Sequence, residues 1–161
     1  LGQIAKRSPA IEWHATIAGS PGRNTEVLRG RASELGLDSS ITWILRSLSE
    51  REIARLLSDS HVVVLPYKAI DQSGVLLAAV GAGRSVVASR VGAFPELVVD
   101  GKHGLLVSPG CADELARALD RMITDPQFRS VCENNMRTLA TGAISWNAVA
   151  ERTLSVYKSL V

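Results

Sequence analysis

A chain of 161 residues is sized for one domain and is long enough to bury a real core. Its 46% hydrophobic and 21% charged residues are ordinary for a soluble globular protein. A net charge of +2, with 18 Lys and Arg scattered among 16 Asp and Glu, and only 4% aromatics exclude the basic stripe and stacking platform of a nucleic-acid binder. No apolar run approaches the roughly 18 residues of a membrane span, and no signal peptide is visible, so any membrane association is expected to be peripheral. Cys111 and Cys132 match no metal-ligand spacing, two cysteines alone argue no disulfide, and a reducing cytoplasm is the expected compartment.

In chain order, residues 1–7 read as the tail of a helix and not as the opening of a domain, so a fragment of a larger protein is expected. Residues 13–18 read as a strand closed by Gly19-Ser20-Pro21-Gly22. A helix is predicted over 24–34, with Gly36 as its stop signal, and a short strand over 41–45. Ser49 and Glu52 have capping-box spacing, and Ile53, Leu56 and Leu57 give the helix that follows an apolar face. Residues 61–65 form a continuous apolar run, as a parallel strand covered on both faces would. A polar loop, Asp71-Gln72-Ser73-Gly74, opens into a small-residue helix over 75–82, and a strand follows over 85–89. After a turn at Gly92 come one helical turn over 94–98 and a fifth strand over 104–107. The rest reads as helix: 112–123, a segment opened by Asp125-Pro126, and a last helix from Ser145. In that last helix Val149, Ala150, Thr153, Leu154, Tyr157 and Leu160 share one face, and Trp13, Trp43 and Trp146 sit at core-like positions. The strand–helix alternation predicts an α/β fold with a Rossmann-like parallel sheet and helices on both faces.

The loop at 71–74 stands where a strand ends and a helix begins. Unpaired amides and the positive end of the helix dipole meet there, so such a crevice can hold a phosphate or diphosphate. Ser73, Gly74 and the Val75 amide could form an anion nest; the alternative is an ordinary serine N-cap. Asp71 and Gln72, at the mouth of the crevice, suit hydrogen bonds to hydroxyl groups. Gly19 and Ser20 border the same side or simply make a turn. His14, His61 and His103 lie in or beside strands without a partner motif and read as packed or surface residues.

Several segments together resemble the C-terminal, donor-binding domain of GT-B fold glycosyltransferases of family 4, the "glycosyl transferases group 1" domain. Ser8-Pro9 through Gly19 resembles the family's glycine-ended strand, and Leu35-Gly36-Leu37 with Ile41-Thr42-Trp43 resembles its "LGL…V.F" segment. Residues 60–66 are similar to the strand before "LPS", residues 83–89 to "GKPVVAS", and residues 91–96 to "VGGxPE". Residues 100–107 are similar to "DGxxGLLV", and Ser145-Trp146 to the "FSW" before the last helix. The resemblance covers essentially the whole chain.

It implies a two-domain enzyme, of which this chain is the donor half without its first strand, moving a sugar from a nucleotide diphosphate sugar to an acceptor with retention. The partners implied are the nucleotide-sugar donor and an N-terminal acceptor-binding domain of the same protein, with no nucleic acid. No metal or other cofactor is expected. The location implied is the cytoplasm, free or peripheral at the inner face of the membrane, in glycan or polysaccharide synthesis. By resemblance Ser73, Gly74 and Val75 take the donor diphosphate, Asp71 and Gln72 the donor sugar, and Leu45, Arg46 and Ser47 the nucleobase region. Gly19, Ser20 and Glu96 border the cleft. Many members carry two glutamates across this loop and helix, at positions that are Ile70 and Ala78 here, and no catalytic residue is assigned. Lys68, Arg46 and Arg84 are candidate cations for the leaving diphosphate. A degenerate, non-catalytic GT-B module is the alternative; a nicotinamide-dependent oxidoreductase lacks its G-x-G-x-x-G fingerprint.

Overall fold

The computed structural model describes residues 1–7, 11–142 and 144–160. Ser8 and Pro9 of the first resemblance lie outside the described residues. The elements run α1 (Gly2–Arg7), β1 (Ala15–Ala18), α2 (Thr25–Glu34), β2 (Ile41–Ile44), α3 (Glu50–Asp59), β3 (Val62–Leu65), α4 (Gly74–Gly81), β4 (Ser85–Ser89), α5 (Phe94–Leu97), β5 (Gly104–Val107), α6 (Ala112–Thr124), α7 (Pro126–Thr141) and α8 (Trp146–Ser159). All strand pairing is parallel, in two sheets, β1-β2 and β3-β4-β5.

Strand β4 lies centrally, and all five of its residues are buried. Its side chains alternate between two apolar clusters, as a strand covered on both faces requires. Val86 and Ala88 join Leu76, Ala79 and Val80 of α4 and Met136 of α7. Val87 joins Ala116, Leu119 and Met122 of α6, Cys132 of α7 and Ile4 of α1. Each Val, Leu, Ile and Met side chain among these adds about 1.5–3 kcal/mol on leaving water, which makes this double-sided packing the centre of stability. A smaller cluster of Ala32, Leu37 and Ile41 holds the β1-β2 sheet, and Trp13 packs against both it and the α6 cluster.

The helix starts follow the local chemistry. Ser49 and Glu52 close the capping box at α3, with Glu52 accepting from the Ser49 amide at 2.9 Å. The Asp125 carboxylate accepts from the Phe128 amide at 2.8 Å ahead of Pro126. Ser145 caps α8 through the Ala148 amide.

Three expectations need correction. The second face of β3 is only partly covered: Val63 and Leu65 are buried and Val62 packs against the α6 cluster, but Val64, at the far end of that face, is 38% exposed. Trp146 is 88% exposed, not in the core. No residue of α8 is buried, so its apolar face has no partner among the described residues.

Candidate functional site

The candidate donor-site positions lie in the segments that follow parallel strands. Gly19 and Ser20 follow β1, and the Gly19 amide donates to the Ile44 carbonyl at 3.0 Å, tying that end to the last residue of β2. Leu45, Arg46 and Ser47 follow β2. Asp71, Gln72 and Ser73 close the loop after β3, and Glu96 stands in α5 beyond β4. The first two groups belong to one sheet and the last two to the other.

At the start of α4 the Ser73 hydroxyl, itself buried, accepts from the Leu76 amide at 3.3 Å. That is the N-cap geometry, and it uses the hydroxyl on the helix's own third amide. The Gly74 and Val75 amides, in the first turn, have no intrahelical acceptor, and they stand at the positive end of the helix. Gly74 is exposed, and a Cβ built on it would meet no other protein atom within 4 Å. The protein's own packing therefore does not require glycine there; the space beside it is open.

Asp71 and Gln72 are exposed beside this opening. The Asp71 carbonyl accepts from the Ala93 amide at 3.0 Å, so the turn after β4 braces the loop after β3. Gly92 sits in that turn at φ +49°, and a Cβ built on it would lie 2.0 Å from the Ile70 carbonyl oxygen. Phe94, fully buried, anchors the turn and meets the Tyr67 ring edge-on at 5.9 Å between centroids. This tertiary brace was not singled out from the sequence; the turn glycine between a strand and Phe94-Pro95 was its only signal. Ile70 and Ala78 pack against the central apolar cluster, so both positions serve the core.

Of the candidate cations, Arg46 is engaged. Its guanidinium donates to both carboxylate oxygens of Glu52, at 2.5 and 3.2 Å, and to the Ser47 carbonyl at 3.1 Å. The Arg46 pair and then the Ser49 amide hold the Glu52 carboxyl down to about 2. This knits residues 46–52 into a closed polar corner. Arg84 precedes β4, at the opposite end of the strand from the loop, and donates to the Ser58 carbonyl. Lys68 is exposed in the loop itself.

His103 is buried and its Nδ1 accepts from the Val99 amide at 3.1 Å; burial and then nearby Lys102 push its pKa down, holding it neutral. Among the described residues no three His, Cys, Asp or Glu side chains converge as metal ligands, and no helix is long and apolar enough to cross a membrane.

The family model for "Glycosyl transferases group 1" matches residues 1–125. The MMP alpha-(1->4)-mannosyltransferase of Mycolicibacterium hassiacum is 35% identical over 130 residues, covering 80% of this chain and 31% of that protein. The crystal structure of the C-terminal domain of a glycosyl transferase group 1 family protein (LpcC) from Francisella tularensis is 27% identical. It superposes with a TM-score of 0.77 over 87% of this chain and 73% of its own. Anabaena HepE in complex with UDP shares the fold with a TM-score of 0.82 at 21% identity, over 98% of this chain and 44% of that one. The chain spans about a third of the length of the curated relatives it matches. A parallel α/β layer with an open helix start beside its central strand, and a family match over residues 1–125, lead to one conclusion: the chain belongs to the glycosyl transferases group 1 family.

Proposed function

We propose that this chain is the donor-nucleotide-binding half of a retaining glycosyltransferase that moves a hexosyl-type sugar from a nucleotide diphosphate sugar to an acceptor. The observation that carries this reading is the open start of α4, where two first-turn amides and an unfilled space beside Gly74 adjoin the end of β3. An anion placed there meets unpaired donors and a favourable dipole. In transfer the same groups stabilise charge developing on the leaving diphosphate, since fixed donors cost no reorganisation. Gly74 and Val75 supply amides, and Ser73 holds the helix start rigid. Asp71 and Gln72 stand where donor sugar hydroxyls would meet them, and residues 45–47 border the nucleobase. The chemistry needs no resident metal in this reading.

The acceptor and the remaining catalytic groups come from an N-terminal domain of the same protein. The unpartnered face of α8 and the exposed β1 residues support this, because surfaces so apolar are ordinarily covered. Residues 1–161 alone therefore bind nucleotide weakly and transfer no sugar, and a robust transfer rate from this chain refutes that. The role in polysaccharide or glycan assembly, in the cytoplasm or at the membrane's inner face, belongs to the same proposal.

A second reading, a non-catalytic GT-B module, is favoured by one observation: Ile70 and Ala78 are partly buried against the central apolar cluster at positions where the resemblance places glutamates. A thermal-shift panel with UDP, GDP, ADP and their sugar conjugates separates the two. A nucleotide at 100 times its Kd stabilises the fold by about 2.7 kcal/mol, or roughly 5–11 °C here. Selective stabilisation by one nucleotide, abolished in Gly74→Val, is expected. No shift with any member of the panel, on this chain and again on the protein with its N-terminal domain, sinks the donor reading and leaves the non-catalytic one.

A further inference from the structure

Among the described residues seven glycines have positive φ, and they differ in what surrounds them; besides Gly92 only Gly104 meets backbone, that of Val86 within the β4-β5 pair. Gly101 (φ +75°) and Gly110 (φ +77°) have nothing within 4 Å of a built Cβ, so conformation alone selects glycine there. Gly83 faces the Arg137 side chain, which can swing away. Gly92 faces backbone: a Cβ would lie 2.0 Å from the Ile70 oxygen, 2.7 Å from the Asp71 oxygen and 3.0 Å from the Ile70 carbonyl carbon. None of these atoms can rotate aside. One residue on, the Ala93 amide grips the Asp71 carbonyl at 3.0 Å. The turn is fixed on its own side by Val91 donating to Ser89, Phe94 donating to Val91, and the buried Phe94 ring. A rigid turn thus presses directly on the backbone two residues before the Ser73 cap.

We infer that Gly92 and Ala93 are positioning residues for the anion-binding loop, setting where Asp71 to Gly74 stand relative to the start of α4. The inference rests on the donor-site reading above. Its physical content is a distance: a Cβ at position 92 drives residues 70 and 71 away by an ångström or more. Misplacement of that order costs up to about a hundredfold in rate at a reacting site, and donors shifted as far from a bound anion are expected to weaken its binding. Neither residue touches the ligand in this arrangement; both act through the loop.

Isothermal titration of the chain with UDP, GDP, ADP and inorganic pyrophosphate tests it, using Gly92→Ala, Ala93→Pro and Gly101→Ala. Ala93→Pro replaces the gripping amide by a ring carbon while keeping φ, which is −76° in the native chain. It removes the grip on Asp71 and pushes the same loop without adding a Cβ at position 92, and carries the test if Gly92→Ala does not fold. Gly101→Ala imposes the backbone strain without a clash, and so measures what destabilisation alone does. The expected result is at least a tenfold weaker Kd in Gly92→Ala and Ala93→Pro for the preferred nucleotide and for pyrophosphate, measured well below each Tm. Gly101→Ala should stay within twofold of the wild type. Wild-type binding with all three variants within twofold overturns the positioning role and leaves the donor site standing. An equal loss in Gly101→Ala also overturns it, because general destabilisation then accounts for the effect. No binding by the wild type to any probe removes the donor-site reading, and this inference with it.

Discussion

Phe94 is the residue on which the brace behind the loop depends. Its side chain is 0% exposed, it stands in the central apolar cluster with Leu76 and Val98, and its ring meets Tyr67 at an interplanar angle of 66°. Truncation to alanine removes a ring from a closed space and leaves a cavity that the strand on one side and the helix on the other cannot fill. Such truncations cost about 3–5 kcal/mol, and the lost edge-to-face pair accounts for about 1 kcal/mol of that. Against a total stability of about 5–15 kcal/mol, this is a large fraction. At roughly 2–4 °C per kcal/mol for a chain of this size, Phe94→Ala should lower Tm by about 6–20 °C. Phe94→Leu, which keeps most of the volume and loses the aromatic pair, should cost about 1–1.5 kcal/mol. Urea unfolding followed by far-UV circular dichroism gives both numbers. A cost below about 1.5 kcal/mol for Phe94→Ala, or equal costs for alanine and leucine, would show that the ring is not packed as described.

Other consequences are open to direct measurement. The Arg46 pair and then the Ser49 amide lower the Glu52 carboxyl from 4.5 to about 2 in the fold, so its contribution is fully present above 4.5 and fades as pH falls towards 2. Glu52→Gln should therefore flatten the acid limb of a stability–pH profile in that window; an unchanged limb counts against the Arg46–Glu52 corner. Cys132 is fully buried and its thiol is pushed up by burial, whereas Cys111 is partly exposed. One thiol should react with Ellman's reagent in the native protein and the second only in denaturant, and two fast thiols would contradict the packing of α7. Trp146→Ala should change stability by no more than about 0.5 kcal/mol, as for an ordinary surface site, and Trp146 should dominate acrylamide quenching.

Local chemistry was the legible part of this chain. Ser49 with Glu52, Asp125 with Pro126, and Ser145 announced three helix starts, because each cap is settled within four residues. The strand at 85–89 was placed correctly after the small-residue helix, and the structure adds that all five of its residues are buried. Trp146 and the last helix misled for a physical reason: an amphipathic pattern records that a face seeks a partner, not that the partner is part of the same 161 residues. Val64 erred in the same way: a continuous apolar run shows what the strand can bury, not which of its residues a neighbour covers. At the candidate site, Ser73 and Gly74 could be placed from the strand–loop–helix order alone. The grip of Ala93 on Asp71 could not, because it joins residues 22 positions apart that only the pairing of β3 with β4 brings together. Arg46 looked like a free cation until Glu52, six residues on, was found holding it.

The division of the strands into two sheets has a dynamic consequence. The β3-β4-β5 sheet is packed against two large apolar clusters, while β1-β2 rests on the small cluster of Ala32, Leu37 and Ile41 and on Trp13. Opening free energies follow such differences in buried surface, so β1-β2 forms the less protected cooperative unit, and its amides should exchange with solvent before those of β4. In the donor-binding reading, residues 45–47 ride on that looser unit while the diphosphate loop rides on the firm one. A nucleotide spanning both would tether them, and part of its binding energy would go into quieting the β1-β2 half.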